Sequence, residues 1–380
     1  MTVRVALVGG PMYDHLYEAF APGEVDVLVH ADHPTLNREV ARMLAAGERI
    51  DLLATHSKYA PSQAQWLRSL DELVDPGAVE PLAPRAVDLC RFEGAQLCLP
   101  RLVDVRVLWV RTDRVARVPD TWEELVESDV IFGFPGRESG LFGGFYELVA
   151  GSGGELFDAQ LRPTMATPEA EHAIETLCRL AARAPRDLAD WHYDQVDAAL
   201  LDGRVDAAAA WPGAWGAIRA SAQADRLAPH LYPAGPARRV SYAGCHAWAI
   251  THSCGDVDGA VALLQRLLGA DLQAIDAAGG TMCAHRDALA SVAPNNEVDR
   301  RRLEITRRTI DDAMITYPAL ARFPEIEDAG WSAIRDALCG RRTPRAAARA
   351  IQSAAERVLA RAADAAPGRH VPDSAPSAAE

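Results

Sequence analysis

VRVALV at residues 3–8 is a nearly continuous apolar run, and GGP at residues 9–11 ends it. Such a run, stopped by glycine and proline, is typical of a buried strand. Two shorter apolar runs follow at residues 25–29 and 50–54, each after a stretch with helical spacing. Strands that alternate with helices predict βαβ units and a parallel sheet. This part of the chain therefore predicts an α/β fold.

Polar and aromatic side chains follow the first and third predicted strands. Ligand-binding loops lie at the carboxyl ends of the strands in a parallel sheet, so these side chains are candidate contacts. Tyr13 and Asp14 follow the first strand, although Asp14 can instead cap the helix that comes next. His56 and Lys58 follow the third strand. Carboxylates, imidazoles and phenols all suit hydrogen bonding to a polar solute.

Lys58 is the one lysine among 39 basic residues. A genome-wide preference for arginine accounts for the bias, so only the retained lysine is informative. Its ammonium can serve as a point charge for a ligand anion or, as a second alternative, as a Schiff-base nucleophile. An ordinary exposed surface lysine is the third alternative, and the sequence leaves all three open.

The bulk composition bounds the class of protein. A chain of 380 residues suits two lobes of ordinary domain size, and 49% hydrophobic with 24% charged residues is normal for a globular protein. The formal charge of −14 disfavours nucleic acid and anionic membranes as partners, because both require a basic face. We expect a small-molecule ligand, no nucleic acid and a monomer.

The cysteines and the N-terminal segment bear on cofactors and location. The seven cysteines are odd in number and lack CxxC spacing, so we expect no metal site, no disulfide framework and no cofactor. No run approaches the ~18 apolar residues that span a bilayer. The first strand follows Met1 directly, which favours the cytoplasm as the sequence stands. A periplasmic or cell-surface location is expected instead if a signal peptide has been removed.

The remainder of the chain continues the alternation of strands and helices. PDTWEEL at residues 119–125 predicts a helix capped by Asp120 or Thr121. From about residue 299 to residue 363 the pattern is helical, with interruptions near 318–324 and 340–344. The stretch from 366 to 380 is rich in proline, serine and alanine, so we expect a disordered tail.

Several short segments, in order, resemble the sugar-binding subunits of ABC importers, the extracellular solute-binding proteins that include maltose-binding protein. The resemblance spans about residues 3–360. Its segments are LP at 99–100, VLW at 107–109, RTD at 111–113, PDTWEEL at 119–125, GGELFD at 153–158, DGRVDAA at 202–208, WPG at 211–213, and DLQ at 271–273 with GG at 279–280. Each segment alone is a weak signal, and their order and spacing carry the resemblance.

The resemblance implies a two-lobed periplasmic-binding-protein-like fold of type II. Each lobe is then a mainly parallel sheet flanked by helices, with the ligand cleft between the lobes. We expect residues 1–110 with 246–300 to form lobe 1, and 111–245 with 301–365 to form lobe 2. Crossing segments are expected near Thr112, Gly244 and Asp299.

The resemblance also adds candidate ligand contacts from the second half of the cleft. It places aromatic residues in the cleft at WPG, which favours Trp211 and leaves Trp215 undecided between cleft and core. It further implies contacts from a glycine-flanked loop, from the crossing and from the segment that returns to lobe 1. These candidates are Asp104, Arg137, Phe142, Tyr242 and His246.

Catalytic constellations are not evident in the sequence. There is no GxSxG, HExxH, phosphate-binding loop or dinucleotide motif, and we name no catalytic residue. The sequence thus predicts that the protein binds a small polar solute, a sugar or sugar derivative that can be acidic, by hinge closure. An ABC permease is the expected partner if the protein is exported. The alternative is a cytosolic enzyme or biosynthetic protein that has reused the fold, with Lys58 as its functional residue.

Overall fold

The structure is a computed structural model that describes residues 2–10 and 12–365, with side chains described as far as residue 361. The expected disordered tail at residues 366–380 lies outside the described residues. The elements alternate between strands and helices as the sequence predicts. Helical structure from residue 297 onward is interrupted at the two places where it was expected.

The strands lie in two larger sheets and one short hairpin. They are β1 Val3–Val8, β2 Val25–Ala31, β3 Leu52–His56, β4 Arg91–Phe92, β5 Ala95–Gln96, β6 Leu99–Val105, β7 Val107–Arg111, β8 Phe132–Gly133, β9 Ala207–Ala210, β10 Leu227–His230, β11 Ser241–Ile250 and β12 Met314–Ile315.

The helices flank both larger sheets. They are α1 Asp14–Tyr17, α2 His33–Ala45, α3 Ala60–Gln63, α4 Pro76–Val79, α5 Pro84–Leu89, α6 Trp122–Glu127, α7 Glu138–Gly151, α8 Pro168–Ala181, α9 Tyr193–Leu201, α10 Ala214–Ala220, α11 Val257–Leu268, α12 Ala270–Gly279, α13 Arg286–Ser291, α14 Glu297–Asp312, α15 Phe323–Leu338 and α16 Pro344–Ala365.

The first sheet has the strand order β12-β11-β3-β1-β2, and β6 also pairs with β11. The βαβ units near the N-terminus make β1 parallel to β2 and to β3, as the sequence predicts. β11 runs antiparallel to both β3 and β6. This strand enters the sheet from the second lobe rather than through a helical crossover, so its direction is free to differ.

The second sheet has the order β10-β7-β9-β8 and is mostly antiparallel. β7 is antiparallel to both β9 and β10, and only β8 with β9 is parallel. The expectation of a mainly parallel sheet is therefore wrong for this lobe. β7 continues directly from β6 of the first sheet, so no local βαβ unit sets its direction.

The chain passes from the first sheet to the second at Arg106, between β6 and β7. This corrects the expected crossing near Thr112 and the lobe boundary after residue 110, because Val107–Arg111 already pairs in the second sheet. The chain returns between β10 and β11. The expected boundary between residues 245 and 246 falls inside β11, and the third expected crossing, near Asp299, falls in the first turn of α14.

Each larger sheet has its own hydrophobic core. The first core contains Leu53 and Trp248, and the second contains Trp109 and Phe145. Most of the C-terminal helical region packs in the second core, through side chains such as Ile334. Separate cores on two sheets are the expected organisation of a chain of this length.

Local sequence explains where helices begin in both lobes. α2 begins after Asp32, whose carboxylate accepts a hydrogen bond from the Thr35 amide at 2.8 Å. Its apolar side chains at i, i+4 and i+7, Leu36, Val40 and Met43, are buried against the first sheet. In the same way α6 is capped by Thr121, which accepts from the Glu124 amide at 3.1 Å.

Candidate functional site

Three histidines meet where strands of the first sheet approach the second lobe. His56 ends β3, His246 lies opposite it in the register of β11, and His33 begins α2. The ring centroids of His33 and His56 each lie 4.9 Å from that of His246. His33 Nε2 lies 2.9 Å from His246 Nδ1, within hydrogen-bond distance. We call these three residues the histidine cluster.

Asp104 and Tyr13 extend the histidine cluster toward the crossing between the lobes. The Asp104 Oδ2 atom lies 2.6 Å from His246 Nε2, and the Tyr13 hydroxyl lies 3.2 Å from the same nitrogen. The Asp104 Oδ1 atom is buried and has no hydrogen-bond partner within the described part of the chain. Buried acceptors are normally satisfied, so this oxygen is available to a donor on a ligand.

Burial sets the protonation of this side of the cleft. It lowers the pKa of His33 and of His56 well below the ordinary value, and the neighbouring His246 and Lys58 add to the effect. These two imidazoles are therefore neutral at pH 7 and each carries one donor and one acceptor. Burial, with Asp104, raises the pKa of Tyr13 well above its usual value. Tyr13 thus remains a hydroxyl donor.

Gly244 makes room for the His56 imidazole. It lies between Ala243 and Cys245 of β11, opposite Asp104 of β6. A Cβ placed on Gly244 would overlap the His56 ring. The glycine is therefore required by close approach of a side chain to the backbone.

An ion pair connects the two lobes at the edge of the histidine cluster. Lys58 Nζ, in the loop after β3, lies 3.1 Å from both carboxylate oxygens of Glu327 on α15. The two side chains are only 8% and 5% exposed. The ammonium also lies 4.7 Å from the centroid of the Tyr59 ring. Lys58 thus touches the second lobe, which rules out the ordinary exposed lysine.

The ion pair keeps the Lys58 amine charged. Burial alone would lower the pKa of Lys58, but the Glu327 carboxylate raises it well above its ordinary value, with smaller contributions from Tyr59, Tyr242 and Tyr193. Burial raises the pKa of Glu327, and the ammonium opposes that rise. Tyr242 of β11 and Tyr193 of α9 are thus close enough to Lys58 to affect its pKa.

Four aromatic side chains form a second group close to the crossing between the lobes. Trp211 follows β9, and its ring centroid lies 5.8 Å from Tyr193 and 5.9 Å from Tyr242, both edge-on. Tyr242 in turn lies 4.4 Å from Tyr317. The hydroxyl of Tyr317 is buried and has no hydrogen-bond partner among the described residues. We call Tyr193, Trp211, Tyr242 and Tyr317 the aromatic group.

Arg106, at the crossing itself, holds the aromatic group in place. Its guanidinium lies 5.1 Å from the Trp211 ring and donates to Glu147 Oε2 at 3.0 Å. The other oxygen of Glu147 accepts from the Tyr242 amide at 2.8 Å. One carboxylate on α7 therefore ties together both strands that pass between the lobes. Burial raises the pKa of Glu147 to about 7, although Arg106 opposes the rise.

α7 can carry this network because it has glycine where Arg106 lies against it. A Cβ on Gly143 would come 2.7 Å from Arg106 Nη2 and 3.0 Å from the Tyr242 ring. The remaining positions of α7 from Leu141 to Ala150 are buried almost throughout. A fully buried helix of this kind is a rigid support for the aromatic group.

The structure brings together Tyr13, His56, Lys58, Asp104, Trp211, Tyr242 and His246 from the candidates found in the sequence. Asp14 lies apart from them and is half-exposed. It accepts from the Gly10 amide at 3.1 Å and pairs with His30 at 2.7 Å. It therefore organises the loop after β1 instead of capping α1.

The expectation that Phe142 contacts the ligand is wrong. Phe142 is fully buried in the second core, where its ring packs against Phe145 and Phe323. The side chain points into the core because α7 is buried on every side. Trp215 is also a core residue, stacked on Trp109 at 5.9 Å between centroids. Arg137 donates to the Asp190 carbonyl at 2.9 Å and pairs with its neighbour Glu138, which leaves it at the periphery.

Sequence reasoning missed five residues of the cleft, namely His33, Arg106, Tyr193, Tyr317 and Glu327. His33 could have been found from the sequence, because it follows the second predicted strand and the strand-end rule applies there as well. Glu327 and Tyr193 lie on helices far along the chain, and only the packing of the lobes brings them to Lys58 and Trp211. Arg106 carries no local signal.

A metal centre is not indicated by the described residues, where no group of three or more metal-ligating side chains is suitably placed. Within the same residues no helix is long and apolar enough to cross a membrane.

The family model described as bacterial extracellular solute-binding protein matches residues 13–274 of this chain. The matched residues run from just before α1 to the middle of α12. They include the histidine cluster, while Tyr317 and Glu327 lie beyond them. Comparison with curated protein sequences returned no match.

Solved structures with the same fold include three sugar- or polyol-bound proteins. Maltose-bound MalE3 of T. maritima superposes with a TM-score of 0.84 at 21% identity, covering 94% of this chain and 100% of that one. The GacH receptor of Streptomyces glaucescens, solved unliganded and with acarbose, gives 0.82 at 18%, covering 95% and 99%. An ABC transporter solute-binding protein from Agrobacterium radiobacter K84 in complex with ribitol gives 0.84 at 18%, covering 94% and 98%. At identities this low, the superpositions establish a common fold and no more.

Proposed function

The chain belongs to the bacterial extracellular solute-binding proteins, and from that premise we propose that it binds a small, polar, sugar-like solute in the cleft between its lobes. The observation that carries the proposal is the Asp104 Oδ1 atom, a buried acceptor without a partner among the described residues, beside the histidine cluster. A sugar hydroxyl is a donor that satisfies such an oxygen.

The two sides of the cleft suit different parts of a sugar. Neutral imidazoles and Tyr13 offer donors and acceptors at short range on the side of the first lobe. Aromatic faces on the side of the second lobe suit the C–H surface of a pyranose or polyol. A mostly apolar site with a few convergent polar groups is the usual form of a small-molecule site. We propose Tyr13, His56, Asp104, Trp211, Tyr242 and His246 as contacts.

Binding on this proposal closes the hinge. The passages at Arg106 and between β10 and β11 are the segments about which the lobes move. A solute that contacts both lobes favours the closed arrangement, because its binding free energy is larger there than in the open one. The Lys58–Glu327 pair joins the same two surfaces and adds to closure.

The proposal extends to a partner. Neighbours with this fold include proteins described as ABC transporter solute-binding proteins. We therefore propose delivery of the solute to an ABC permease by a monomeric protein. The enzyme alternative needs a neutral Lys58 amine as nucleophile. The Glu327 carboxylate holds that amine in its charged form, which argues against it.

Isothermal titration calorimetry tests the proposal. The wild type is titrated with aldoses, disaccharides, alditols and sugar acids, and we expect binding to at least one of these. Asp104→Asn removes the carboxylate and should weaken that binding by about tenfold or more. Asp26→Asn changes an Asp whose side chain is 55% exposed, away from the cleft, and is the matched control. Absence of binding in every class would refute the proposal.

A further inference from the structure

Each cationic side chain of the cleft faces a carboxylate of the protein. Arg106 pairs with Glu147 and Lys58 pairs with Glu327, both as buried pairs. At the edge of the cleft Arg137 pairs with Glu138. Asp104 also lies beside His246. Among the described residues of the cleft, positive charge is therefore matched by negative charge already in place.

Lys58 would be the natural partner for an acidic solute if it were unpaired. Its ammonium is a compact charge with three donors, and it lies where the two lobes meet, against Tyr59 and Glu327. Glu327 occupies it with both oxygens at 3.1 Å, which is the geometry that a ligand carboxylate would adopt. The protein thus supplies from α15 the anion that a sugar acid would otherwise bring.

We infer that Glu327 is a specificity-determining residue that makes the cleft selective for uncharged solutes by occupying the ammonium of Lys58. The inference rests on the proposed function and adds a charge rule to it. The acidic solute, which the sequence left open, is disfavoured on this inference. A uronate or aldonate must lose its hydration on entering the cleft, and at Lys58 it meets the Glu327 carboxylate instead of a free cation.

The test compares one neutral solute with its own acid. The neutral sugar or alditol that binds the wild type most tightly is paired with the corresponding uronate or aldonate in calorimetric titrations. We expect the wild type to prefer the neutral compound by about tenfold or more. Glu327→Gln keeps the size of the side chain and frees Lys58, so the ratio of acid to neutral affinity should rise by about tenfold or more.

Two further variants separate charge from packing. Glu325→Gln removes a carboxylate on the same helix that is 47% exposed and bonded to Arg322, and it should leave the ratio unchanged. Lys58→Gln leaves Glu327 without its cation, and it should raise the affinity for the amino derivative of the same sugar relative to the neutral form. This reciprocal variant keeps the inference testable if Glu327→Gln fails to fold by circular dichroism.

The outcomes separate failure of the proposed function from failure of the proposed selectivity for uncharged solutes. A wild type that binds no sugar or polyol, neutral or acidic, refutes the proposed function and this inference with it. A wild type that binds the acid as tightly as the neutral solute overturns the inference alone. So does a folded Glu327→Gln protein whose ratio equals that of the wild type.

Discussion

His56 occupies space that only a glycine at position 244 leaves open, since a Cβ on Gly244 would overlap its imidazole. The two residues lie on neighbouring strands, β3 and β11, of the first sheet. This relationship fixes His56 beside His246, at 4.9 Å between ring centroids. It therefore couples the backbone of a returning strand to the shape of the cleft.

Gly244→Ala should displace His56 and weaken solute binding by about tenfold or more, with a loss of about 1–3 kcal/mol in the free energy of unfolding from overpacking. Calorimetry and urea denaturation measure the two effects. Gly216→Ala is the matched control, because its nearest atom to an added Cβ is an ordinary 3.8 Å away. Normal binding by Gly244→Ala would contradict the placement of His56 in the cleft.

The Lys58–Glu327 pair should behave as a coupled unit in a double-mutant cycle. Lys58→Met and Glu327→Leu should each lower the free energy of unfolding by about 3–5 kcal/mol, because each leaves one buried charge alone. The double variant should lie within about 1 kcal/mol of the wild type. Urea denaturation provides the values, and strictly additive losses would show that the two charges do not interact. Arg322→Met, at an exposed pair, should cost less than about 1 kcal/mol.

Acid should destabilise the protein through the histidine cluster. His33 and His56 have a folded pKa below the unfolded value, so the unfolded chain binds protons first as the pH falls. Their contribution to stability is present above about pH 6.5 and is lost below it, by up to about 2 kcal/mol per histidine between pH 6.5 and 5. Denaturation of wild type, His33→Gln and the exposed control His172→Gln at both pH values checks this. His33→Gln should show the shallower decline, and equal declines in all three proteins would contradict it.

Replacing Trp211 should mainly lower solute affinity, whereas replacing Trp215 should mainly lower the stability of the fold. Trp211→Leu removes an aromatic face of the cleft and should lower solute affinity by about tenfold. Trp215→Leu opens a cavity beside Trp109 and should lower the free energy of unfolding by about 3 kcal/mol. Calorimetry on the folded fraction and thermal denaturation separate the two. The reverse assignment of effects would place Trp211 in the core.

The sequence predicts much of the fold because local patterns determine it. The apolar run of β1, the cap at Thr121 and the helical spacing after residue 297 are visible without tertiary information. The direction of β7 and the position of the crossing at Arg106 are not, because strand order across two lobes depends on long-range pairing.

Some residues of the candidate site can likewise be found from local sequence, and others depend on how the lobes pack. Strand-end reasoning finds His56 and Lys58, since these residues follow a predicted strand. The resemblance adds His246, which lies opposite His56 on the neighbouring strand. The resemblance misplaces Phe142, because a helix buried on every side has no sequence signal that marks a cleft-facing position. It misses Glu327, whose role exists only when α15 meets the loop after β3.

A crystal structure with the tightest-binding neutral sugar or polyol tests the central claim most directly. We expect the solute between the lobes, with a hydroxyl donating to the Asp104 Oδ1 atom, its C–H face toward Trp211, and the Lys58–Glu327 pair intact. A solute bound on the outside of either lobe, or one between the lobes that makes no contact with Asp104 or Trp211, would contradict it.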